Sequence, residues 1–267
     1  MVPSVPSGVA VTVVAVASLI PLSGFLTIAF GARAAGLAGW PRLAGCVAAG
    51  LLAWGGLGVA LAALEIGWGA AYRLTPVLLA LAYALPVLLV VAALRRAPRL
   101  RTALGTRSAL WRLASIQLAR NVGLVFLVLH ARGELPGLFT YPAAWGDVAI
   151  GVTAPIAMWA LWFRDAEVRR PGSGLRKAFI GWNVAGLADH VVAVTLGILC
   201  FPGALHVFDV HPTTVVFAGL PMVLFPIYMV PFAAMGHRIM LDAIRRPAGR
   251  ARRDGVAERV PVLGGAG

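Results

Sequence analysis

An acid and an imidazole stand side by side inside an apolar stretch of this sequence. Asp189 and His190 lie within "WNVAGLADHVVAV", and the apolar run around them extends from about residue 175 to residue 201. A run of that length can cross a bilayer as a helix. Ionisable side chains inside such segments are rare and mark ion or proton pathways, ligand sites or buried ion pairs. The pair therefore predicts a polar centre within a membrane.

A second apolar run supplies a charge of the opposite sign. Arg120 lies near the middle of a segment that we predict to be helical over 111–131. A charge left alone at the centre of a bilayer costs roughly 2.5–3.5 kcal/mol on insertion scales. We therefore expect Arg120 to face the helix that carries Asp189 and to pair with it. Gln117 and Asn121 should share the face of Arg120, because their spacing is i, i+3, i+4.

The helix of Asp189 has two neighbouring polar stripes. Trp182, Gly186 and Asp189 follow one stripe, and Asn183, Gly186 and His190 follow the adjacent one. Gly186 leaves room for a neighbouring helix or a ligand. His190 is the natural titrating group, because an unperturbed imidazole changes charge near physiological pH. The candidate substrate-binding or proton-coupling residues are Gln117, Arg120, Asp147, Trp182, Asn183, Asp189 and His190. A buried ion pair that only fixes helix register is an open alternative.

A second polar group is expected toward the outer face. His130 lies at the outer end of the segment of Arg120, and Glu134 follows that segment. Asp147 lies about one turn into the next segment, where we expect it to form an entrance. A later loop, "GALHVFDVHP", adds His206 and His211. Histidine and carboxylate ligands suit zinc or copper, but this spacing matches no specific metal site, so we predict no bound metal.

The positions of the histidines also indicate whether the protein could bind a haem through two axial ligands. Two axial histidines would have to come from different helices at one depth, and no pair matches: His190 is central, His130 is near the outer end, and His237 is expected at the inner boundary. A haem with one histidine ligand is left open. A retinal Schiff base would need a lysine in the last segment, but the sole lysine, Lys177, lies in a connection. No cofactor is predicted.

The amino-acid composition indicates that these segments lie in a lipid bilayer. Of 267 residues 60% are hydrophobic and 12% are charged, with a mean hydropathy of +0.87. A soluble domain carries about 25% charged residues. We predict an all-α polytopic membrane protein with a bundle of seven transmembrane helices. The predicted spans are 8–30, 43–65, 75–94, 111–131, 142–163, 176–201 and 216–238.

The distribution of basic residues orients these spans. Alternate connections, together with the tail from Arg238, hold 20 of the 23 lysine and arginine residues. Cytoplasmic loops carry such an excess, so we predict an outer N-terminus and a cytoplasmic C-terminus, in the bacterial cytoplasmic membrane. The net charge of +13 is then a topology signal that also contacts anionic lipid, and no nucleic-acid partner is predicted. We divide the chain into a transmembrane domain, 1–244, and a basic, disordered cytoplasmic tail, 245–267.

Two spans have distinctive small or helix-breaking residues. The second carries a small-residue stripe, which we expect to pack inside the bundle, with an oligomer contact as the alternative. The stripe comprises Ala49, Ala53, Gly56, Ala60 and Ala63. The last span carries Pro221, Pro226 and Pro231, so we expect it to be kinked or locally unwound.

Three segments of the second half of the chain resemble a family of bacterial multi-pass membrane proteins of uncharacterised function. They are "RNVGLVFLVLHARGELPGLFTYPAAWGD", "WNVAGLADHVVAVTLG" and "VPFAAMGH". The resemblance implies a membrane protein and no particular activity. It draws attention to Arg120, Gly123, Pro136, Pro142, Gly146, Asp147, Trp182, Asn183, Asp189, Pro231 and His237.

The sequence leaves three functions open. The leading hypothesis is a small-molecule or ion transporter, or a ligand-binding protein, with an intramembrane Arg-Asp-His centre whose ligand is unknown. The second is a membrane-embedded enzyme that acts on a lipid or isoprenoid and uses Asp189 and His190 as acid and base. The third is a non-catalytic subunit of a membrane complex that docks through the small-residue stripe.

Overall fold

The computed structural model describes residues 5–63 and 75–246. Within these ranges every regular element is a helix. The α-helices are α1 Ser7–Ser18, α2 Ile20–Ala34, α3 Trp40–Ala63, α4 Thr75–Arg96, α5 Pro98–Leu104, α6 Arg107–Ile116, α7 Leu124–Ala131, α8 Gly137–Phe163, α9 Asp165–Arg169, α10 Gly174–Leu199 and α11 Val230–Arg245. Three short segments have 3-10 or π geometry, namely Gln117–Gly123, Thr214–Ala218 and Phe225–Met229.

Six stretches of the described chain are long and apolar enough to cross a membrane. They are Ser7–Ala34, Trp40–Ala63, Thr75–Arg96, Arg107–Ala131, Gly137–Phe163 and Gly174–Leu199. Six of the seven predicted spans are thus confirmed as apolar helices, and the chain is a helical, multi-pass membrane protein. The limits shift by a few residues, because caps such as Thr106 and Ser173 start helices in polar flanks that hydropathy does not include.

The seventh predicted span, 216–238, is not one regular helix. A 3-10 turn ends at Ala218, a π segment covers Phe225–Met229, and α11 continues from Val230 to Arg245. Proline lacks the N–H that a regular helix needs, and its ring clashes with the carbonyl of the preceding turn, so Pro221 and Pro226 favour irregular backbone in this segment. Pro231 lies in the first turn of α11, where proline is tolerated. The expected kinking is present, and it is strong enough to divide the segment.

The small-residue stripe of α3 does not pack inside the bundle as expected. All five of its residues are exposed, and nothing lies within 4 Å of a Cβ built on Gly56. The opposite face makes the contacts: Leu51 packs against Gly24 of α2, and Gly58 accommodates Ile227 of the π segment. Alanine and glycine form stripes on both faces of α3, so spacing alone did not identify the packed one.

Arginine-rich connections that are distant in sequence meet at one end of the bundle. The Arg169 guanidinium donates to the Gly105 carbonyl at 3.0 Å, and the Arg176 guanidinium donates to the Ile244 carbonyl at 3.0 Å. Arg101 lies 3.8 Å from a carboxylate oxygen of Asp242. The basic tail from residue 247 lies outside the described residues.

Candidate functional site

A break in the helix of Arg120 positions its side chain. The predicted fourth span consists of α6, a 3-10 segment from Gln117 to Gly123, and α7. Residues three apart eclipse one another in a 3-10 helix, so Gln117, Arg120 and Gly123 form its buried face. Asn121, expected on that face, is instead half-buried and lies against the position of Gly151. The α-helical spacing used for the prediction does not hold in the tighter turn.

Arg120 joins three helices at the centre of the protein. Its Nε donates to Asp147 Oδ1 of α8 at 2.8 Å, and one Nη forms an ion pair with Asp189 Oδ2 of α10. The other Nη donates to the Gly186 carbonyl at 3.3 Å and contacts His237 Nε2 of α11 at 3.2 Å. The expected ion pair between Arg120 and Asp189 is present. The guanidinium also holds a second carboxylate and a histidine.

Two expected positions change as a result. Asp147 was predicted at an outer entrance, but it lies at the centre, 8% exposed and bonded to Arg120. His237 was predicted at the inner boundary, but it is fully buried beside Arg120. Its ring centroid is 6.0 Å from that of His190, so these two histidines do lie at one level. Reading depth as position along a straight helix failed for His237, because the π segment changes the path of the chain before α11.

The contact with Arg120 fixes the tautomer of His237. A guanidinium only donates hydrogen bonds, so His237 Nε2 accepts and the ring is neutral, with its proton on Nδ1. That Nδ1 donates to Asn183 Oδ1 at 2.9 Å, and Asn183 Nδ2 donates to the Phe179 carbonyl at 2.8 Å. A continuous chain of hydrogen bonds therefore runs from Arg120 along α10.

Three glycines make room for the polar side chains. A Cβ at Gly123 would lie 2.7 Å from Asp147 Cβ, a Cβ at Gly146 would overlap the Asp189 carboxylate, and a Cβ at Gly186 would overlap the His237 ring. Contacts this close do not occur at real Cβ atoms. Each polar side chain thus sits in a cleft left by a glycine on the neighbouring element. Gly186 was expected to admit a neighbour, and the neighbour is His237.

The remaining polar candidates lie around this centre. Gln117 is buried and donates to the Ala233 carbonyl of α11 at 3.3 Å. Trp182 donates through Nε1 to Thr153 Oγ1 at 3.0 Å and packs edge-on against the His237 ring. His190 is 2% exposed, and its Nδ1 has no hydrogen-bond partner among the described residues.

Two cavities meet at Asp147 and His190. The larger, about 460 Å³, lies between the α1–α2 junction, the 3-10 segment of Arg120 and the start of α11, and Arg120 also lines it. The smaller, about 60 Å³, is bordered by aromatic rings, including Phe126, Phe139 and Phe217. Phe225 and Val230 line both cavities. Small-molecule sites are mostly apolar, with a few placed polar groups, and this arrangement fits that description.

The outer-face candidates do not assemble into a site. His130 bonds through Nδ1 to the Leu135 carbonyl at 2.7 Å, and Glu134 pairs with Arg132 at 2.8 Å. His206 contacts its own loop at the Phe201 carbonyl, and His211 lies 3.4 Å from Asp209 with both side chains exposed. No group of three or more potential metal ligands occurs in the described ranges. These residues make local contacts.

Comparison with known proteins places this centre within a family. The model of a domain of unknown function, DUF8737, matches residues 76–245, and the chain belongs to that family. The match begins at α4 and includes every member of the Arg120 cluster. Neither the curated proteins nor the solved structures gave a match. The family match agrees with the resemblance found in the sequence and carries no activity with it.

Proposed function

We propose that this protein binds a small molecule in the 460 Å³ cavity beside Arg120 and carries it across the membrane. The observation that supports the proposal is the joining of an apolar cavity to a buried network of charged side chains. The volume lies within the range of about 300–1,000 Å³ typical of ligand sites. A purely structural ion pair needs no adjacent cavity of that size.

Within this proposal the residues have separate tasks. Arg120 holds Asp147 and Asp189 in place, and His237 and Asn183 fix its orientation. Asp147 and His190, which line both cavities, contact the ligand. The broken segment before α11 borders the cavity and is the element that moves, because its π and 3-10 turns have fewer regular hydrogen bonds to lose.

We further propose seven membrane segments, with an outer N-terminus and a cytoplasmic C-terminus, in the bacterial cytoplasmic membrane. The contacts among 95–112, 164–177 and 238–246 support this topology, since they gather basic connections at one end. These arginines would contact anionic lipid there. Reporter fusions after residue 135 and after residue 246 test it: the first should report the outside and the second the cytoplasm. The reverse pattern would contradict the topology.

An enzymatic role for Asp189 and His190 has less support. Asp189 is held by Arg120 and is not among the residues that line either cavity. A general acid or base must reach the proton that it transfers. Binding therefore explains the geometry better than acid–base chemistry does.

Ligand binding is tested by native mass spectrometry of the protein purified in mild detergent. The wild type should retain one small molecule that is neither detergent nor added lipid. Ala119→Trp, which fills the cavity, should lose it. Ala185→Trp, on an exposed face of α10, is the matched control and should retain it. An empty wild type, or equal occupancy in Ala119→Trp, would contradict the proposal.

We also propose an association between copies through the exposed stripe of α3. Small residues let helix backbones approach closely within a membrane. Gly56→Leu should lower the dimer fraction seen by native mass spectrometry in mild detergent. An unchanged distribution would count against this contact.

A further inference from the structure

The charges of the side chains at the centre balance only if one carboxylate takes up a proton or a cation binds. Arg120 contributes one positive charge, while Asp147 and Asp189 contribute two carboxylates, each with a side chain only 12% exposed. His237 adds no charge, because its Nε2 accepts from Arg120. With both carboxylates ionised, one negative charge is left without a counter-ion among residues 5–63 and 75–246. An uncompensated buried charge is strongly destabilising.

One carboxylate oxygen of the centre, Asp147 Oδ2, is available beside the cavity. Arg120 Nε uses Asp147 Oδ1, and in the part of the chain that the structure describes no hydrogen bond reaches Oδ2. Asp147 lines both cavities. A donor bound in the larger cavity can therefore reach a carboxylate oxygen that the protein itself leaves unused.

A second unused polar group lies at the same place. His190 lines both cavities and is 2% exposed, but its Nδ1 is buried away from the cavity surface and has no hydrogen-bond partner among the described residues. A buried polar atom without a partner destabilises the folded state. Asp147 therefore offers the acceptor that a ligand in the cavity can reach, whereas His190 Nδ1 is reached only if its ring turns toward the cavity.

Apart from Ser23, Ser115 and Arg120, the rest of the lining is apolar. The larger cavity is bordered by Val16, Leu19, Ile20, Phe225, Met229 and Phe232. These side chains suit a hydrocarbon or ring body. An inorganic cation would find too few oxygen ligands here, since hard cations take about six or more.

We infer that the ligand is an organic ammonium compound, an ammonium group on an apolar body, whose N–H groups donate to Asp147. The inference rests on the proposed function and adds the class of the ligand. The ammonium supplies the missing positive charge, and the body occupies the apolar part of the cavity. An anionic ligand is excluded from this position, because Arg120 is already engaged by two carboxylates.

The test compares three probes of equal length: n-hexylamine, 1-hexanol and hexanoate. Each is titrated into the purified full-length protein at neutral pH, and the unfolding temperature gives an apparent Kd, because a ligand that binds the folded state stabilises it. Hexylamine should bind at least about tenfold more tightly than the other two, a difference of about 1.4 kcal/mol.

Two variants separate charge balance from simple contact. Asp147→Asn keeps an oxygen for Arg120 Nε and removes one negative charge, and Asp189→Asn removes one charge without altering the cavity lining. Both should weaken hexylamine about tenfold or more and leave hexanol unchanged. Asp209→Asn, whose side chain is 91% exposed, is the matched control and should bind hexylamine as the wild type does. Ala119→Trp should abolish binding.

The outcomes separate this inference from the proposed function. Binding of hexanol or hexanoate as tight as that of hexylamine, lost in Ala119→Trp but retained in Asp147→Asn, overturns the cation and leaves the cavity as a binding site. Hexylamine binding that survives Ala119→Trp, or that Asp189→Asn does not weaken, also overturns the inference. Failure of all three probes to bind counts against both.

Two kinds of ligand carry such an ammonium group, a free amine and a lipid with a phosphatidylethanolamine headgroup. Dihexanoyl phosphatidylethanolamine is therefore titrated beside n-hexylamine, with dihexanoyl phosphatidylcholine as the control. Stabilisation by the ethanolamine lipid alone, lost in Asp147→Asn, assigns the ligand to lipid. Stabilisation by hexylamine alone assigns it to a free amine.

Discussion

The centre and the outer loops of this protein use the same residue types for different purposes. Arg120 and Arg132 both bond a carboxylate at 2.8 Å through Nε, but the Arg120 side chain is 4% exposed and that of Arg132 is 55% exposed. The central pair is bonded to further residues on α10 and α11, whereas the outer pair lies within one turn. Residue type and distance are therefore poor guides to importance. How much an ion pair contributes depends on how deeply it is buried and on the further residues that it is bonded to.

Arg120→Gln should produce the largest difference between the two regions. It removes the cation that pairs with Asp147 and Asp189 in the described part of the chain and leaves both carboxylates buried. We expect a loss of about 3–5 kcal/mol in the free energy of unfolding, measured by denaturant titration in mixed micelles. Arg120→Lys, which keeps the charge but not the forked geometry, should recover part of it. A loss below about 1 kcal/mol would mean that the centre behaves like the surface.

Gly186→Ala sharpens the comparison inside one helix. The added methyl group would overlap the His237 ring, and such overpacking costs about 1–3 kcal/mol. Gly181 lies on the same helix with open space around its Cβ position. Gly181→Ala should therefore stabilise the protein, by about 0.5–1 kcal/mol. The same titration measures both variants, and a shift of the same sign in both would refute the glycine cleft.

His237→Leu and His190→Leu separate the two buried histidines. His237 accepts from Arg120 and donates to Asn183, so its removal leaves Asn183 Oδ1 unpaired and should lower the free energy of unfolding by about 1–2 kcal/mol. His190→Leu removes a polar atom, Nδ1, that has no partner in the ranges 5–63 and 75–246, and it should not destabilise the fold. It should still impair ligand binding, which native mass spectrometry reports. Equal destabilisation by both variants would assign His190 a structural role.

Arg132→Gln should have the smallest effect. Exposed ion pairs contribute about 0–1 kcal/mol because water and salt screen them. The denaturation midpoint should therefore remain within about 0.5 kcal/mol of the wild type. A larger loss would show that the outer face also contributes a structured site, and it would weaken the distinction drawn between the two regions.

The sequence predicted the helical membrane class, six of the spans and the pairing of Arg120 with Asp189. Hydropathy and the energetic cost of an unpaired charge in the bilayer are properties of whole segments, so they can be estimated from the sequence without coordinates. Asp147 and His237 were misplaced for a different reason. Asp147 was placed about one turn into a span predicted to begin at residue 142, but α8 begins at Gly137, so Asp147 lies nearly three turns into the helix. His237 was assigned a depth by counting along a regular helix, but a π turn precedes it. Irregular turns depend on tertiary contacts that local spacing does not record.

The π turn at Phe225–Met229 also sets the rotation of α11 about its own axis. An α-helix advances about 100° per residue, so one residue more or less upstream of α11 rotates everything after it by that angle. Phe225, Tyr228 and Met229 are buried on one side of the turn, and His237 is buried two turns later. The length of this segment therefore determines whether His237 lies on the face of α11 that contacts Arg120. A single deletion there would leave the composition of the helix intact and point its histidine away from the centre.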